Sequence, residues 1–537
     1  MPIGAFVCFV FITAPFVRAA SDVGDVQFPN SGSAAAQPPF LRGLALLHSF
    51  EYEDAAKEFR KAQELDPAFA MAFWGEAMTY NHPIWMEQDR DAAVAVLKRL
   101  GPTPELRLAK ASTQREKDFL QAVEILYGEG SKDQRDFAYC DAMGRMHQRS
   151  PQDPEAAAFY ALSILGTAHH GRDFAIYMRA AGVLEELFRD YPEHPGVAHY
   201  LIHCYDDPIH APLGLRPARV YSKIAPAAPH AQHMTSHIFL ALGMWDDVVS
   251  ANENAVRVVN AHRKERGQPP RSCGHYNFWL LYGYLQQGRP RQAMNLLTEC
   301  RASAQTETGE THPGMVMVDP DRSQIGSLVV MWARYILDTD GWSQETAEWT
   351  FPSTADLNPQ ATIHWIAGMR AVHNGKLDRA RQELEELKKV LSKMTASADE
   401  NKDAYDSFVN RADVLKTQLE GMILLASGKA NDGISLLQQA AAKEESLPMD
   451  FGPPLIDKPS RELLGESLLR LHRATEAVPA FEAALQRAPE RTASLLGLYR
   501  AASSAGDKQT ASEVLEKLRQ IWKNAEQVPE DLKIKTW

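Results

Sequence analysis

The chain has 537 residues, 45% of them hydrophobic and 23% charged, an ordinary soluble mixture with apolar material for several domains or for one long helical array. Its formal net charge of −12 at pH 7 argues against binding nucleic acid through phosphates, which needs a basic face. The acidic excess is spread along the chain and reads as a solubilising surface.

Residues 1–19 read as a signal peptide. Ile3 to Val17 is an apolar run rich in Phe and Val, ending in Val17-Arg18-Ala19, a cleavage site that would cut before Ala20. The run is too short to span a bilayer, and no later segment has the roughly 18 consecutive apolar residues that a transmembrane span needs. The expected location is therefore secreted or periplasmic. Because no Lys or Arg precedes the run, a retained amphiphilic anchor is the competing reading. With Cys8 removed, the mature chain keeps Cys140, Cys204, Cys273 and Cys300, none in a Cys-x-x-Cys pair; an exported chain could pair some of them, with a connectivity the sequence does not give, and buried free thiols are the default expectation.

Residues 20–39 are small, polar and Pro-containing and read as a linker. From Phe40 onward apolar residues recur at three- and four-residue intervals, without strand-type alternation, so the expected class is all-α. Two distant segments then match. Ala55, Phe59, Ala62 and Pro67 have gaps of four, three and five, and so do Ala477, Phe481, Ala484 and Pro489. That spacing is the second half of the 34-residue tetratricopeptide signature, with small residues where helices touch, an aromatic between them and Pro closing the second helix. It predicts a tetratricopeptide-type superhelix, an α-solenoid.

Further helix pairs are predicted over 155–190, 195–225, 229–264, 274–301, 360–393, 403–444, 460–487 and 491–523, with Gly171, Gly243, Gly288, Gly375 and Gly428 at turns that need positive φ. Insertions break the period at 81–118, 302–322 (containing Met315 to Val318) and 446–459. The organisation follows: an N-terminal array over 40–301, an irregular insertion and helix over 302–358, and a C-terminal array over 359–537.

Seven of the 18 histidines fall between residues 194 and 237: His194, His199, His203, His210, His230, His233 and His237. His199/His203 and His233/His237 are His-x-x-x-His pairs, whose members share a helix face about 5–6 Å apart, a spacing that suits two imidazoles on one metal ion. His199 to His233 is 34 residues, as is His203 to His237, one full repeat. The pairs should occupy equivalent positions on neighbouring first helices, which line the concave groove, so that four imidazoles converge on one patch. His230 lies seven residues before His237 and can join that face, and His275 opens the next first helix. Asp206 and Asp207 can accept from ring N–H groups, as outer partners of metal-bound histidines do. The competing readings are a hydrogen-bonded polar core and anion binding by protonated imidazoles. Zn, Cu, Fe and Ni all suit imidazole.

No His-Glu-x-x-His, Gly-x-Ser-x-Gly, P-loop or dinucleotide motif is present. His82, after Trp74-Gly75-Glu76-Ala77-Met78, is read as structural or as facing the groove. Glu462 and Glu466 beside Lys458 read as helix capping and ion pairing. Trp245, Trp279 and Trp365 read as core.

The segments Gly43 to Trp85, His199-Tyr200-Leu201-Ile202-His203-Cys204-Tyr205-Asp206-Asp207-Pro208, Ala228-Pro229-His230-Ala231-Gln232-His233-Met234-Thr235-Ser236-His237-Ile238-Phe239 and Phe451 through Glu466 resemble a family of large exported tetratricopeptide-repeat proteins, mostly bacterial, without an established activity. Thr235 stands where the family pattern has proline. The resemblance covers most of the mature chain and implies a fold and a shared histidine-lined site rather than a reaction.

The leading expectation is an exported helical-repeat binding protein that holds a divalent transition metal (Zn, Cu or Fe) on His199, His203, His230, His233 and His237, with Asp206, Asp207, His275 and His82 around them. Its partner would be a small ligand, peptide or protein in the groove. The alternatives are a metal-dependent oxidoreductase or hydrolase using the same histidines, and a protein–protein scaffold without metal.

Overall fold

The computed structural model describes residues 22–306, 323–351, 356–398, 402–449 and 451–533. The expected signal peptide and the Met315 to Val318 run lie outside them. The chain begins with α1 (Gln37–His48), α2 (Tyr52–Leu65) and α3 (Ala70–Met78), then a short antiparallel hairpin of β1 (Asn81–His82) and β2 (Glu87–Gln88). The rest of the first insertion forms α4 (Arg90–Leu100), α5 (Pro104–Leu108) and the start of α6 (Gln114–Leu126). Next come α7 (Lys132–Arg149), α8 (Pro154–Leu165), α9 (Phe174–Asp190), α10 (Pro195–Tyr205), α11 (Ala211–Ile224), α12 (Pro229–Ala241) and α13 (Trp245–Glu265). The middle of the chain contributes α14 (His275–Gln286), α15 (Pro290–Thr306) and α16 (Gln324–Asp338). The C-terminal array holds α17 (Leu357–His373), α18 (Leu377–Ala398), α19 (Lys402–Ala426), α20 (Ala430–Ser446), α21 (Ser460–Arg470), α22 (Ala474–Arg487), α23 (Thr492–Ala505), α24 (Lys508–Ile521) and α25 (Glu530–Lys533). No helix among the described residues is long and apolar enough to cross a membrane.

Consecutive helices pack as antiparallel hairpins, each stacked on the next. This is a tetratricopeptide-type helical-repeat superhelix. Its helices begin where the chemistry favours it: Pro195, Pro229 and Pro290 occupy first-turn positions, and the Asp153 carboxylate caps α8 by accepting from Glu155 N and Ala156 N. Gly171, Gly243, Gly288, Gly375 and Gly428 all have φ between 66° and 91°, a region closed to most side chains. The signature aromatics sit where backbones approach. A Cβ on Gly75 would stand 2.3 Å from the Phe59 ring, and one on Gly497 only 2.2 Å from the Phe481 ring.

The coil closes on itself at both ends. Asp22 O accepts from Ala227 N at 2.9 Å, Asp54 pairs with Arg266 at 2.5 Å, and Glu490 O accepts from Trp245 Nε1 at 3.0 Å. Arg491 is fully buried and binds Glu462 (2.9 Å) and Asp338 (2.5 Å), joining α16, α21 and the turn before α23. Lys458 completes this cluster through Glu462 and Glu466, so the late charges form a buried network rather than a simple helix cap.

Two expectations are corrected. Residues 22–36 are not a linker: Val23, Val26 and Phe28 are buried, with the Phe28 ring 5.0–5.4 Å from Phe40, Trp74 and Phe119. Three apolar side chains spaced among polar ones suffice to seal the open end of an array, the capping that terminal repeats require. Cys273 and Cys300 are not free thiols but a disulfide with Cα atoms 4.8 Å apart. They lie at the start of α14 and near the end of α15, two points that an antiparallel hairpin brings together. Cys140 and Cys204 are buried free thiols.

Phe481→Ala should cost about 3–5 kcal/mol of unfolding free energy in a denaturant titration, because the glycines facing the ring cannot close the cavity. Replacing Cys273 and Cys300 with Ser should cost about 2–4 kcal/mol in the same measurement without changing helicity.

Candidate metal centre

The 34-residue spacing places the first helices α10 and α12 side by side with α14 beyond them. His199, His203, His233 and His237 are buried on facing turns, whereas His230 and His275, each in the first turn of its helix, are partly exposed. The rings do not form the single four-histidine patch expected. They divide into two trios, His199/His203/His230 and His233/His237/His275, and within each the three ligand nitrogens lie within 4.8 Å of one another. The trios adjoin: His203 faces His237 and His230 faces His233, each with ring centroids 6.2 Å apart.

The hydrogen bonds on the outer nitrogens decide where the protons are. His233 Nδ1 lies 2.7 Å from Asn252 Oδ1, and Asn252 Nδ2 donates to Val248 O, so the amide oxygen must accept and Nδ1 must carry the proton. His237 Nδ1 lies 2.5 Å from the Asp206 carboxylate and must also donate. As neutral imidazoles both rings therefore turn an unprotonated Nε2 inward, and these two nitrogens are 3.0 Å apart. Two unshared pairs at hydrogen-bond distance with no proton between them repel unless a cation lies beside both. In the other trio, His199 Nδ1 donates to His48 O at 2.7 Å, so its Nε2 offers a pair to the space shared with His203 Nε2 (3.1 Å) and His230 Nε2 (3.2 Å). Tetrahedral bonds of about 2.0–2.1 Å to one ion set donor nitrogens about 3.3 Å apart, close to these spacings.

Protonation is disfavoured at four of the six rings. Burial, reinforced by the neighbouring imidazoles, holds His199, His203, His230 and His233 well below the ordinary imidazole range. Aromatic side chains wall the rings. Phe50 lies 4.3 Å from His199, and Trp279 lies 4.8 Å from His233 and 4.4 Å from His237. Phe451, from the 446–459 insertion, lies 5.4 Å from His237. Buried arginines hold that insertion: Arg411 donates to Leu455 O and pairs with Asp457, and Arg334 pairs with Asp457 from α16.

Two candidates lie elsewhere. Asp207 does not reach the trios; it pairs with Arg172 and accepts from the backbone and ring of His210. His82 stacks on Tyr52 at 3.9 Å and bonds Thr79 O. A third cluster, unforeseen in the sequence, joins His48, Glu155 and His194. Here every ring nitrogen is committed: His48 to Tyr200 and Glu155, His194 to Glu155 and Val197 N. Although burial pushes the Glu155 carboxyl up, the two histidines hold it well below the carboxylate range. The cluster is a clamp between α1, α8 and α10, and it fixes the His48 carbonyl on which His199 rests. Asn252 was equally invisible, a lone polar residue on α13 that acquires meaning only when α13 packs on α12.

No family model matches the chain, and no curated protein does. Among solved structures, the chain is similar to the human IFIT1 dimer with m7Gppp-AAAA, at 13% identity over 93% of this chain and 92% of that one, with a TM-score of 0.36. It is similar to Cut9 in the APC/C hetero-tetramer Cut9–Hcn1, at 11% identity over 93% and 76%, with a TM-score of 0.33. It is also similar to yeast Tom70, at 11% identity over 89% and 90%, with a TM-score of 0.28. Likeness at this level bears on neither ligand nor activity.

The depressed imidazoles give a signed pH dependence. The unfolded chain takes up protons near pH 6.5, whereas the folded metal-free protein does so only at lower pH. The metal-free protein should therefore keep full stability above about pH 6.5 and lose it as the pH falls below that value. Denaturant midpoints at pH 7.5 and 5.5 check this, and a midpoint that rises on acidification would contradict it.

Proposed function

We propose that this tetratricopeptide-type protein is exported and holds a pair of transition-metal ions, one in each histidine trio, where an open position on each ion binds and activates a small ligand. The observation that carries this reading is the pair of histidine trios, each with ligand nitrogens within 4.8 Å of one another, with His233 and His237 Nε2 3.0 Å apart and their outer nitrogens bonded to Asn252 and Asp206. Three imidazoles per ion leave a coordination position free, as catalytic sites do and closed structural sites do not. Two ions side by side form the arrangement that clamps both ends of a bridging group. The outer bonds to His48 O, Asn252 and Asp206 supply the orientation that metal-bound histidines require. Export is supported by the apolar run ending at Ala19 and by the Cys273–Cys300 disulfide, a bond that persists in oxidising compartments. A second reading, partner binding by the array, is favoured by one further feature. The C-terminal array encloses a groove of about 1090 Å³, lined by residues including Trp342, Met422, Leu463, Arg470, Arg500 and Trp522, with room for a peptide.

Elemental analysis of the untagged mature protein tests the main reading. Two ions per chain are expected, falling to one in His203→Ala or His237→Ala and to none in the double variant, with helicity retained. His472→Ala, remote from the trios, should bind as the parent does. Equal metal content in all four variants would remove the site assignment.

A further inference from the structure

We infer that the two ions are copper and that the centre couples the reduction of dioxygen to the oxidation of an ortho-diphenol, an inference that rests on the paired-metal reading above.

The donor set points to the metal. All six donors are imidazoles, whereas iron and manganese pairs in helical proteins are held largely by glutamates projecting inward. Asp206 touches only the outer nitrogen of His237. Two divalent ions would place four positive charges in a buried site edged by two carboxylates, Asp206 on the His237 ring and Glu51 on the His230 backbone, and two Cu(I) ions would place two. In a low-dielectric interior the smaller charge is favoured. Copper also stands highest in the affinity order of the divalent first-row metals and accepts imidazole readily.

The pairing points to the reaction. Zinc has no redox chemistry, whereas a pair of copper ions held by His199, His203 and His230 and by His233, His237 and His275 would supply the two electrons that take dioxygen to the peroxide level. An ortho-diphenol then gives up two electrons and its two O–H protons and leaves as the ortho-quinone. Over a full cycle two diphenols and one dioxygen become two quinones and two waters: the O–O bond breaks, and the four diphenol O–H hydrogens end as the four hydrogens of water.

The mouth points to the substrate. The four inner rings are buried, so approach is from the side of His230 and His275. Two partly exposed aromatic side chains stand on that side, Trp85 at 6.2 Å from His230 and Tyr276 at 5.0 Å from His233. A flat aromatic ring is the ligand class that would stack on such side chains.

The test uses the full mature chain, loaded anaerobically with Cu(I) beside a zinc-loaded sample, then exposed to air with 4-methylcatechol while oxygen uptake and quinone absorbance are followed. Two coppers per chain and one dioxygen consumed for every two diphenols are expected, with no uptake in the zinc sample. Trp85→Ala should raise KM for the diphenol about tenfold at unchanged copper content. Two coppers per chain without diphenol-dependent uptake would overturn the inference and leave the paired-metal reading standing. Less than one ion of any metal per chain would overturn both, and an unchanged KM in Trp85→Ala would overturn the aromatic mouth.

Discussion

An aromatic ring laid on a glycine governs how closely these helices approach. Phe59 on Gly75 and Phe481 on Gly497 leave no room for a Cβ, so each ring packs directly against the backbone of the next helix. Where the period is 34 residues, as from His199 on α10 to His233 on α12, equivalent positions on successive first helices lie side by side. A histidine at such a position finds a histidine from the next repeat within reach, and the site exists because the stacking is regular.

Regular stacking brings the rings together but does not orient them. Orientation comes from the outer nitrogens, each tied to a group on a different element: the last residue of α1, the loop after α10 and the middle of α13. On three of the six rings, His199, His233 and His237, these ties hold Nδ1 outward and turn Nε2 toward the other rings. A polar cluster built only for stability would have done the reverse and used each nitrogen in a donor–acceptor pair, as His48, Glu155 and His194 do a few ångströms away. The contrast between the two arrangements, made from the same residue types in one protein, is the strongest physical argument that the trios differ in purpose from the clamp.

The array was legible because its cause is local. Ala55, Phe59, Ala62 and Pro67 state helix contacts that any copy of the repeat must make, and the predicted hairpins fall within a few residues of the observed ones. The juxtaposition of α10 and α12 followed from the same period. What remained hidden depends on loops and on distant packing. His230 and His275 stand at helix starts, and their places are set by the preceding turns, so the division into two trios could not be read from spacing along a helix. Val23, Val26 and Phe28 lie in an irregular segment with no periodicity to mark them as buried. Cys273 and Cys300 showed no motif because their proximity is made by a hairpin, not by sequence distance.

The insertion that carries Phe451 has a consequence for the order of events as the protein is made. The ligands lie between residues 199 and 275, one anchor comes from residue 48, and a covering ring comes from residue 451. A chain emerging from its amino end has most of its histidines in hand with half its length unmade, and the wall over His237 is among the last parts to arrive. The centre therefore passes through a stage in which its rings are assembled and still uncovered. In that interval the His237 ring meets solvent from a side that Phe451 closes in the finished protein.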